Sequence, residues 1–239
     1  MKGHLYRAFV LCKPQIFFLM AMQAVCSAFL IVFAAISVNQ PNCDLNFVQV
    51  VCVVIYLLMF LLSMSMLTND YFKIDEKPST AFFLCATPKS VKAQVASKYF
   101  FILIIGLFVL AANFVTDIIV TAITLGGTSS IQTLLMLFCL ELLVNAVEIP
   151  FVIRFGSGKG AAIKGAVFGG IMIAIIIYGL FGDISFFLGS DPIGAFMEYM
   201  DGDGPMWTMA ITPYASVAAY YLSYLISVRL WRKGAECYE

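Results

Sequence analysis

The chain has 239 residues, of which 62% are hydrophobic and only 12% are charged, and its 14 Lys and Arg residues balance 14 Asp and Glu residues. Soluble domains carry about 25% charged residues, so this composition excludes a water-soluble globular domain and indicates an integral membrane protein. The zero net charge and the lack of a basic stripe with interleaved aromatic residues argue against nucleic acid as a partner.

Catalytic and metal sites find no support in the sequence. The seven cysteines are scattered without a CxxC pair, which favours small buried side chains over metal ligands or disulfides. His4 is the single histidine, so no Ser/His/Asp or Cys/His arrangement can form. The glycine-rich stretch 156–160 lacks the upstream glycine and the Ser or Thr that a phosphate-binding loop requires. We therefore expect no catalytic residues, no metal and no cofactor bound by this chain, and no enzyme activity of its own.

Residues 1–13 predict a short basic helix ahead of the first apolar run. Leu5, Phe9 and Cys12 repeat at helical spacing, basic residues occupy other positions, and Pro14 follows. This pattern is typical of a helix that lies in the membrane interface. A signal peptide would need a shorter apolar run and a small-residue cleavage site, so we do not favour one here.

Six apolar runs follow, and each is long enough to cross a membrane. A helix needs about 20 residues to span the hydrocarbon core. Strands are excluded because a lipid-facing backbone must form its hydrogen bonds within its own segment. We therefore predict an all-α membrane protein with a single transmembrane domain over residues 1–239. The predicted spans are 16–38, 47–67, 99–125, 131–153, 165–182 and 207–228.

The basic residues predict the orientation of this bundle. All 14 Lys and Arg residues lie before the first span, between spans two and three, between spans four and five, or after span six. The other connections, 39–46, 126–130 and 183–206, contain none. Lys and Arg collect on the cytoplasmic side of membrane proteins, and an even number of spans returns the chain to its starting side. Both termini are therefore predicted to be cytoplasmic.

The last outer connection, 183–206, is both acidic and apolar. It carries Asp and Glu residues without a basic residue, and it also carries several Phe and Met side chains. We predict one or two short helices here that dip into the outer leaflet and cover the bundle. The Asp201-Gly-Asp203-Gly step lacks the further ligands of an EF-hand loop, so a solvated acidic turn is favoured over a calcium site.

Polar side chains inside the third and fourth predicted spans are candidates for a polar path or a subunit interface. Within each span they are spaced by three or four residues, so they share one helix face. Glu141 lies about 15 Å from the start of its span, near the bilayer centre, where a charge costs roughly 2.5–3.5 kcal/mol. The alternative is that Glu141 is protonated and hydrogen-bonded to a neighbouring helix, for example to Asn113 or Thr116. The candidates are Asn113, Asp117, Glu141, Asn145 and Glu148.

The polar segment 68–98, between spans two and three, is large enough to hold a soluble partner. Pro78 after Asp75-Glu76 predicts a helix over 79–86 along the inner membrane face. Thr87-Pro88 predicts the start of a second helix that runs into the third span. The alternative is a plain charged connection, but roughly 31 residues exceed the usual length of loops.

Motifs in and after this segment resemble those of a transporter family. The steps DEK over 75–77, TPKS over 87–90 and SKY over 97–99 resemble the acidic pair, proline turn and Ser-Lys-Tyr of ABC type-2 exporter permeases common in Gram-positive bacteria. The stretch EIPFVIRFGSGKG over 148–160 resembles the signature that follows the fourth span in the same family. Permeases of the phenol-soluble-modulin exporter type are the nearest group by this resemblance.

The resemblance implies a permease subunit of an ATP-binding-cassette exporter in the bacterial cytoplasmic membrane, which moves a peptide, lipid or amphipathic substrate out of the cell. It also implies a second permease copy or a related permease, and a separate ATPase subunit that binds ATP and Mg²⁺. The inner segment would couple that ATPase to the spans. The coupling residues would be Asp75, Glu76, Lys77, Pro78, Phe82, Pro88, Lys89 and Ser90.

Two other functions stay open at this point. A secondary transporter would use Glu141 as a proton carrier, but the sequence shows no inverted repeat or paired broken spans. A non-transporting scaffold or immunity protein would bind a partner through the same inner segment. The motifs of that segment favour the exporter permease.

Overall fold

The computed structural model of the protein describes residues 2–39, 45–75, 91–124, 130–156 and 203–235, with a few isolated positions between 158 and 170. Within these ranges the regular structure is α-helical, as predicted. Its helices are α1 (Lys2–Leu11), α2 (Lys13–Val38), α3 (Leu45–Asp75), α4 (Val91–Thr124), α5 (Ile131–Phe155) and α6 (Asp203–Ala235).

Three stretches of the described chain are long and apolar enough to cross a membrane: Lys13–Val38, Lys92–Thr124 and Ile131–Phe155. They contain the first, fourth and nearly all of the third predicted span. The second predicted span falls within α3, whose described apolar part is the shorter stretch Val48–Ser63. The sixth falls within α6, which has 33 residues but carries several Ser and Tyr residues among its apolar ones. A count of six spans stays a prediction.

The helices extend well beyond the apolar runs at the end where the inner segment lies. The second predicted span ends at residue 67, whereas α3 continues as a helix to Asp75. The third predicted span begins at residue 99, whereas α4 begins at Val91, close to the second helix predicted from Thr87-Pro88. A helix can continue beyond an apolar run because its backbone hydrogen bonds form within the helix and do not depend on lipid. The described helices therefore include both ends of the polar segment 68–98, and its middle part, 76–90, lies outside the described residues.

Some predicted features lie outside the described residues. They are the helix over 79–86, most of the fifth span over 165–182, and nearly all of the outer connection over 183–206. Pro150 lies inside α5, which continues past this proline to Phe155 and ends at Gly156, which has a φ of 86°. That left-handed conformation suits glycine and closes the helix.

Helix α4 is the centre of the bundle, because each of the other five described helices packs against it. Its core residue Phe101 shows how: the ring lies 5.1 Å from the ring of Phe9 in α1 and 5.1 Å from that of Tyr71 in α3. The short first helix therefore packs against the bundle, through Ala8 and Cys12 as well as Phe9. Helix α6 packs mainly on α5.

The bundle places apolar side chains outward and polar side chains inward. Phe17 is 74% exposed and Val217 is 61% exposed, whereas Gln23, Asn113 and Glu141 are buried. A soluble protein would show the reverse pattern, since its charged residues are almost never buried. A membrane protein turns polar groups to the bundle interior because lipid cannot satisfy them. The arrangement therefore agrees with the membrane assignment made from composition.

Candidate functional site: polar side chains inside the bundle

Glu141 lies on α5 at the place where this helix meets α3 and α4. Its carboxyl group, on α5, accepts a 3.1 Å hydrogen bond from the hydroxyl of Ser63 on α3. On the α4 side it lies against the backbone at Gly106: a Cβ atom added there would be 3.1 Å and 3.3 Å from the two carboxyl oxygens. Tyr220 of α6 is within electrostatic range. The side chain is 3% exposed, so this carboxyl group contacts the interior of the bundle rather than lipid.

Gly106 explains how a carboxyl group fits into this crowded position. Glycine in the middle of a helix costs about 1 kcal/mol relative to alanine, so its presence in α4 needs a packing reason. The reason is the close approach of Glu141 and of the ring of Phe138, whose nearest atom would be 3.3 Å from an added Cβ. Neither Gly106 nor Ser63 was identified from the sequence. The sequence feature that could have indicated Gly106 is an isolated glycine inside a long apolar helix.

Asn145 and Glu148 continue the same face of α5, as their spacing predicts. Both are buried, at 1% and 2% exposure. Within the described part of the chain, neither amide atom of Asn145 has a hydrogen-bond partner. The face from Glu141 to Glu148 is therefore a strip of three polar side chains inside the bundle. Helix geometry places Glu148 about 10 Å from Glu141 along the axis, towards the end where α4 begins.

Asn113 does not join this strip, because its partners lie on α2. The Nε2 atom of Gln23 donates to its Oδ1 atom at 2.7 Å, and the same Nε2 atom lies 3.4 Å from Ser27 Oγ. Thr116, one turn further, donates to Ser27 Oγ at 2.9 Å. The described hydrogen bond that Glu141 makes to a neighbouring helix comes from Ser63 of α3, and the described partner of Asn113 is Gln23.

Asp117 lies at the other end of the bundle and binds the start of α5. The backbone N–H of Ser130 donates to its two carboxyl oxygens at 3.1 Å and 3.3 Å. Cys52 and Tyr56 of α3 lie within electrostatic range of the same carboxyl group. The five predicted polar residues thus form two groups, one of three on α5 and one of two on α4.

A family model for "ABC-2 family transporter protein" matches residues 5–232. The chain belongs to the ABC-2 transporter family. This match covers nearly the whole sequence and includes α2 to α5 in full and most of α1 and α6. Neither a curated protein sequence nor a solved structure matches the chain. The protein is therefore a permease component of membrane transport, as its sequence motifs predict, and its buried polar strip belongs to a transport protein.

The residues predicted to couple this ABC-2 transporter protein to an ATPase fall at the border of the described chain. Asp75 is the last residue of α3, and α4 begins at Val91. The other seven predicted coupling residues lie between them and outside the described residues. Among the side chains that the structure describes, no cluster of three or more His, Cys, Asp or Glu could hold a metal ion.

Proposed function

We propose that the protein is the permease subunit of an ATP-binding-cassette exporter, and that a separate ATPase subunit powers it. Membership of the ABC-2 transporter family across residues 5–232 is the observation that carries this proposal. The cargo is a peptide, a lipid or another amphipathic molecule that leaves the cell. A second copy of the chain or a related permease completes the membrane part.

The ATPase docks on the segment 75–90. This segment connects α3 and α4, the central helix of the bundle, so a partner bound here acts directly on the core. Basic residues support a cytoplasmic position for this end: Lys73 lies at the end of α3, Lys92 at the start of α4 and Arg154 at the end of α5. ATP and Mg²⁺ are bound by the partner subunit, which is where hydrolysis takes place.

The polar strip on α5 supplies the part of the permease that cargo or a second subunit meets. Glu141, Asn145 and Glu148 are buried polar groups at membrane depth, where an embedded acid is by default a functional candidate. A secondary transporter that uses Glu141 as a proton carrier is the second candidate function, because the same carboxyl group lies near the centre of α5 with a hydroxyl partner.

The decisive experiment co-expresses this chain with a candidate ATPase subunit from the same genome and measures co-purification and ATP hydrolysis in lipid nanodiscs. The test variant combines Glu76→Lys with Pro88→Ala in the inner segment. We expect the native subunits to co-purify and the variant to dissociate or to lose cargo-stimulated hydrolysis, because the charge and the turn at the docking segment are changed.

The matched control combines Asp191→Lys with Pro192→Ala, which makes the same chemical changes in the outer connection. It should leave association and hydrolysis at the native level. Equal loss in both variants would show a general folding defect and remove the support for docking at 75–90. Flux driven by a proton gradient without any ATPase, abolished by Glu141→Gln, would favour the secondary transporter.

A further inference from the structure

Tyr99 joins the start of α4 to α6 through both its side chain and its backbone. Its hydroxyl group lies 2.6 Å from Ser223 Oγ and 2.8 Å from Ser227 Oγ. In return, the hydroxyl group of Tyr220 donates to the Tyr99 carbonyl oxygen at 2.8 Å. The Tyr99 and Tyr220 rings pack edge to face with centroids 5.0 Å apart. We call these four residues the Tyr99 cluster.

Lys98, the preceding residue, joins the same part of α4 to α3 and to the end of α6. Its ammonium group lies 4.5 Å from the ring centre of Phe72, 4.8 Å from that of Trp231 and 5.7 Å from that of Tyr71. The side chain is only 3% exposed. A cation over aromatic faces is attracted by the ring quadrupole, and the attraction increases when water is excluded. We call these four residues the Lys98 cage.

The space beside the Lys98 cage is too small for a ligand. The cavity that Lys98 shares with His4 and Arg7 has a volume of about 10 Å³. That is room for about one water molecule and not for a lipid headgroup or a phosphate. The basic side chains that converge here therefore form a packed contact between helices and not a ligand site.

The two clusters together occupy one stripe of α6. Tyr220, Ser223, Ser227 and Trp231 are spaced by three or four residues, so they lie on one helix face. The stripe extends for about 16 Å along the helix. Buried hydrogen bonds and a buried cation spread over this length oppose sliding of α6 along α4, because each interaction is stronger in a low-dielectric interior than in water. The cytoplasmic parts of α4 and α6 therefore move together.

We propose that Lys98 and Tyr99 are positioning residues that pass displacement of the inner segment to α6. They begin seven residues after the start of α4, which directly follows that segment. Helix α6 packs mainly on α5, the helix that carries Glu141, and Tyr220 lies in range of that carboxyl group. The proposal rests on the proposed function, because it needs an ATPase that moves the inner segment. It assigns a physical role to the Ser97-Lys98-Tyr99 motif.

The test measures the motion of α6 directly. Spin labels are attached through genetically encoded azide residues at positions 13 and 232, both exposed, which leaves the seven native cysteines unchanged. Distances are measured by pulsed electron paramagnetic resonance on the complex with its ATPase, without nucleotide and after trapping with ATP and vanadate. We expect a distance change in the native chain. In Lys98→Met with Tyr99→Phe this change is lost, while the ATPase stays bound and continues to hydrolyse ATP.

Three further variants make the result specific. Ser223→Ala with Ser227→Ala removes the same hydrogen bonds from the α6 side and should reduce the change in the same way, even if the α4 variant folds poorly. Lys98→Arg, made in the native chain, keeps the cation and should therefore show the native distance change. Tyr214→Phe, at an 80% exposed position of α6, is the matched control and should behave as the native chain.

The possible outcomes separate the two proposals. If the ATPase does not associate or does not hydrolyse ATP with the native chain, the proposed function is wrong and the inference fails with it. If the native complex is active but shows no distance change with nucleotide, only the inference is wrong. If the native chain shows the change and both the α4 and α6 variants keep it in full, only the inference is wrong. A lower melting temperature with an unchanged distance response would also overturn it, since that is the result of a purely structural role.

Discussion

At the scale of single residues, Glu141 shows how a bundle accommodates an acid at membrane depth. The carboxyl group has a hydroxyl donor in Ser63 and contacts the α4 backbone at Gly106. One neighbouring helix therefore supplies a hydrogen bond and the other supplies space. A buried polar group without a hydrogen bond costs several kcal/mol in an apolar medium. The small residues opposite Glu141 are therefore part of the same site, although they carry no charge themselves.

Gly106→Val tests this close packing. The valine side chain would occupy the space that the Glu141 carboxyl group now fills, 3.1 Å from the position of an added Cβ. Overpacking of a core costs about 1–3 kcal/mol, so we expect a clear drop in the melting temperature of the detergent-solubilised protein. Ala111→Val, at an exposed position of the same helix, is the matched control and should have little effect.

The same substitution in a Glu141→Ala background shows which contact is responsible. Removing the carboxyl group makes room, so the additional loss from Gly106→Val should be smaller there than in the native chain. A difference between the two backgrounds measures the coupling of the two positions. Equal losses in both would mean that Phe138 or the backbone, and not Glu141, requires the glycine.

At the scale of helices, Asp117 of α4 holds the start of α5. It accepts the N–H of Ser130, the residue just before α5, and its charge lies near the positive end of that helix. Loss of such a cap costs about 1 kcal/mol. We therefore expect Asp117→Ala to lower stability and to increase hydrogen exchange in the first turn of α5, and Asp117→Asn to lower it less.

The Asp117 variants distinguish a capping role of this residue from a role in transport. If Asp117 acted in a polar path, Asp117→Asn would abolish transport while the melting temperature and the exchange rates stayed at native values. If it acts as a cap, stability changes in both variants and transport by the folded Asp117→Asn protein continues. Thr121→Ala, at a partly exposed position one turn further along α4, provides the control for substitution in this region.

The helices could be predicted from sequence more completely than their contacts. Hydropathy located each described helix, because apolar length is a local property. It could not give the ends of α3 and α4, because these helices continue beyond the apolar runs through polar residues, to Asp75 and from Val91. It could not give the partner of Glu141, since Ser63 is 78 positions away and only the antiparallel packing of α3, α4 and α5 brings it close. Gln23, 90 positions from Asn113, was missed for the same reason.

At the scale of the whole molecule, the described basic groups lie at one end of the bundle axis, and the polar groups described at the other end include no Lys or Arg. His4, Lys98 and Trp231 meet at one end, where α1 lies and where α3, α4 and α6 have the ends that the basic residues predict to be cytoplasmic. Asn39 and Asp117 lie at the other end of α2 and α4. The connections at that other end contain no Lys or Arg. The positive-inside rule depends on this asymmetry and not on net charge, which is zero.

Labelling of single cysteines in intact cells tests the orientation. In a background without the seven native cysteines, Asn39→Cys should react with a membrane-impermeant thiol reagent, because it lies exposed at the outer end of α2. Arg232→Cys, exposed near the end of α6, should react only after the membrane is permeabilised. The reverse pattern would place the segment 75–90 outside the cell, where no ATP-driven subunit could reach it. The orientation measurement therefore tests the premise on which coupling through that segment depends.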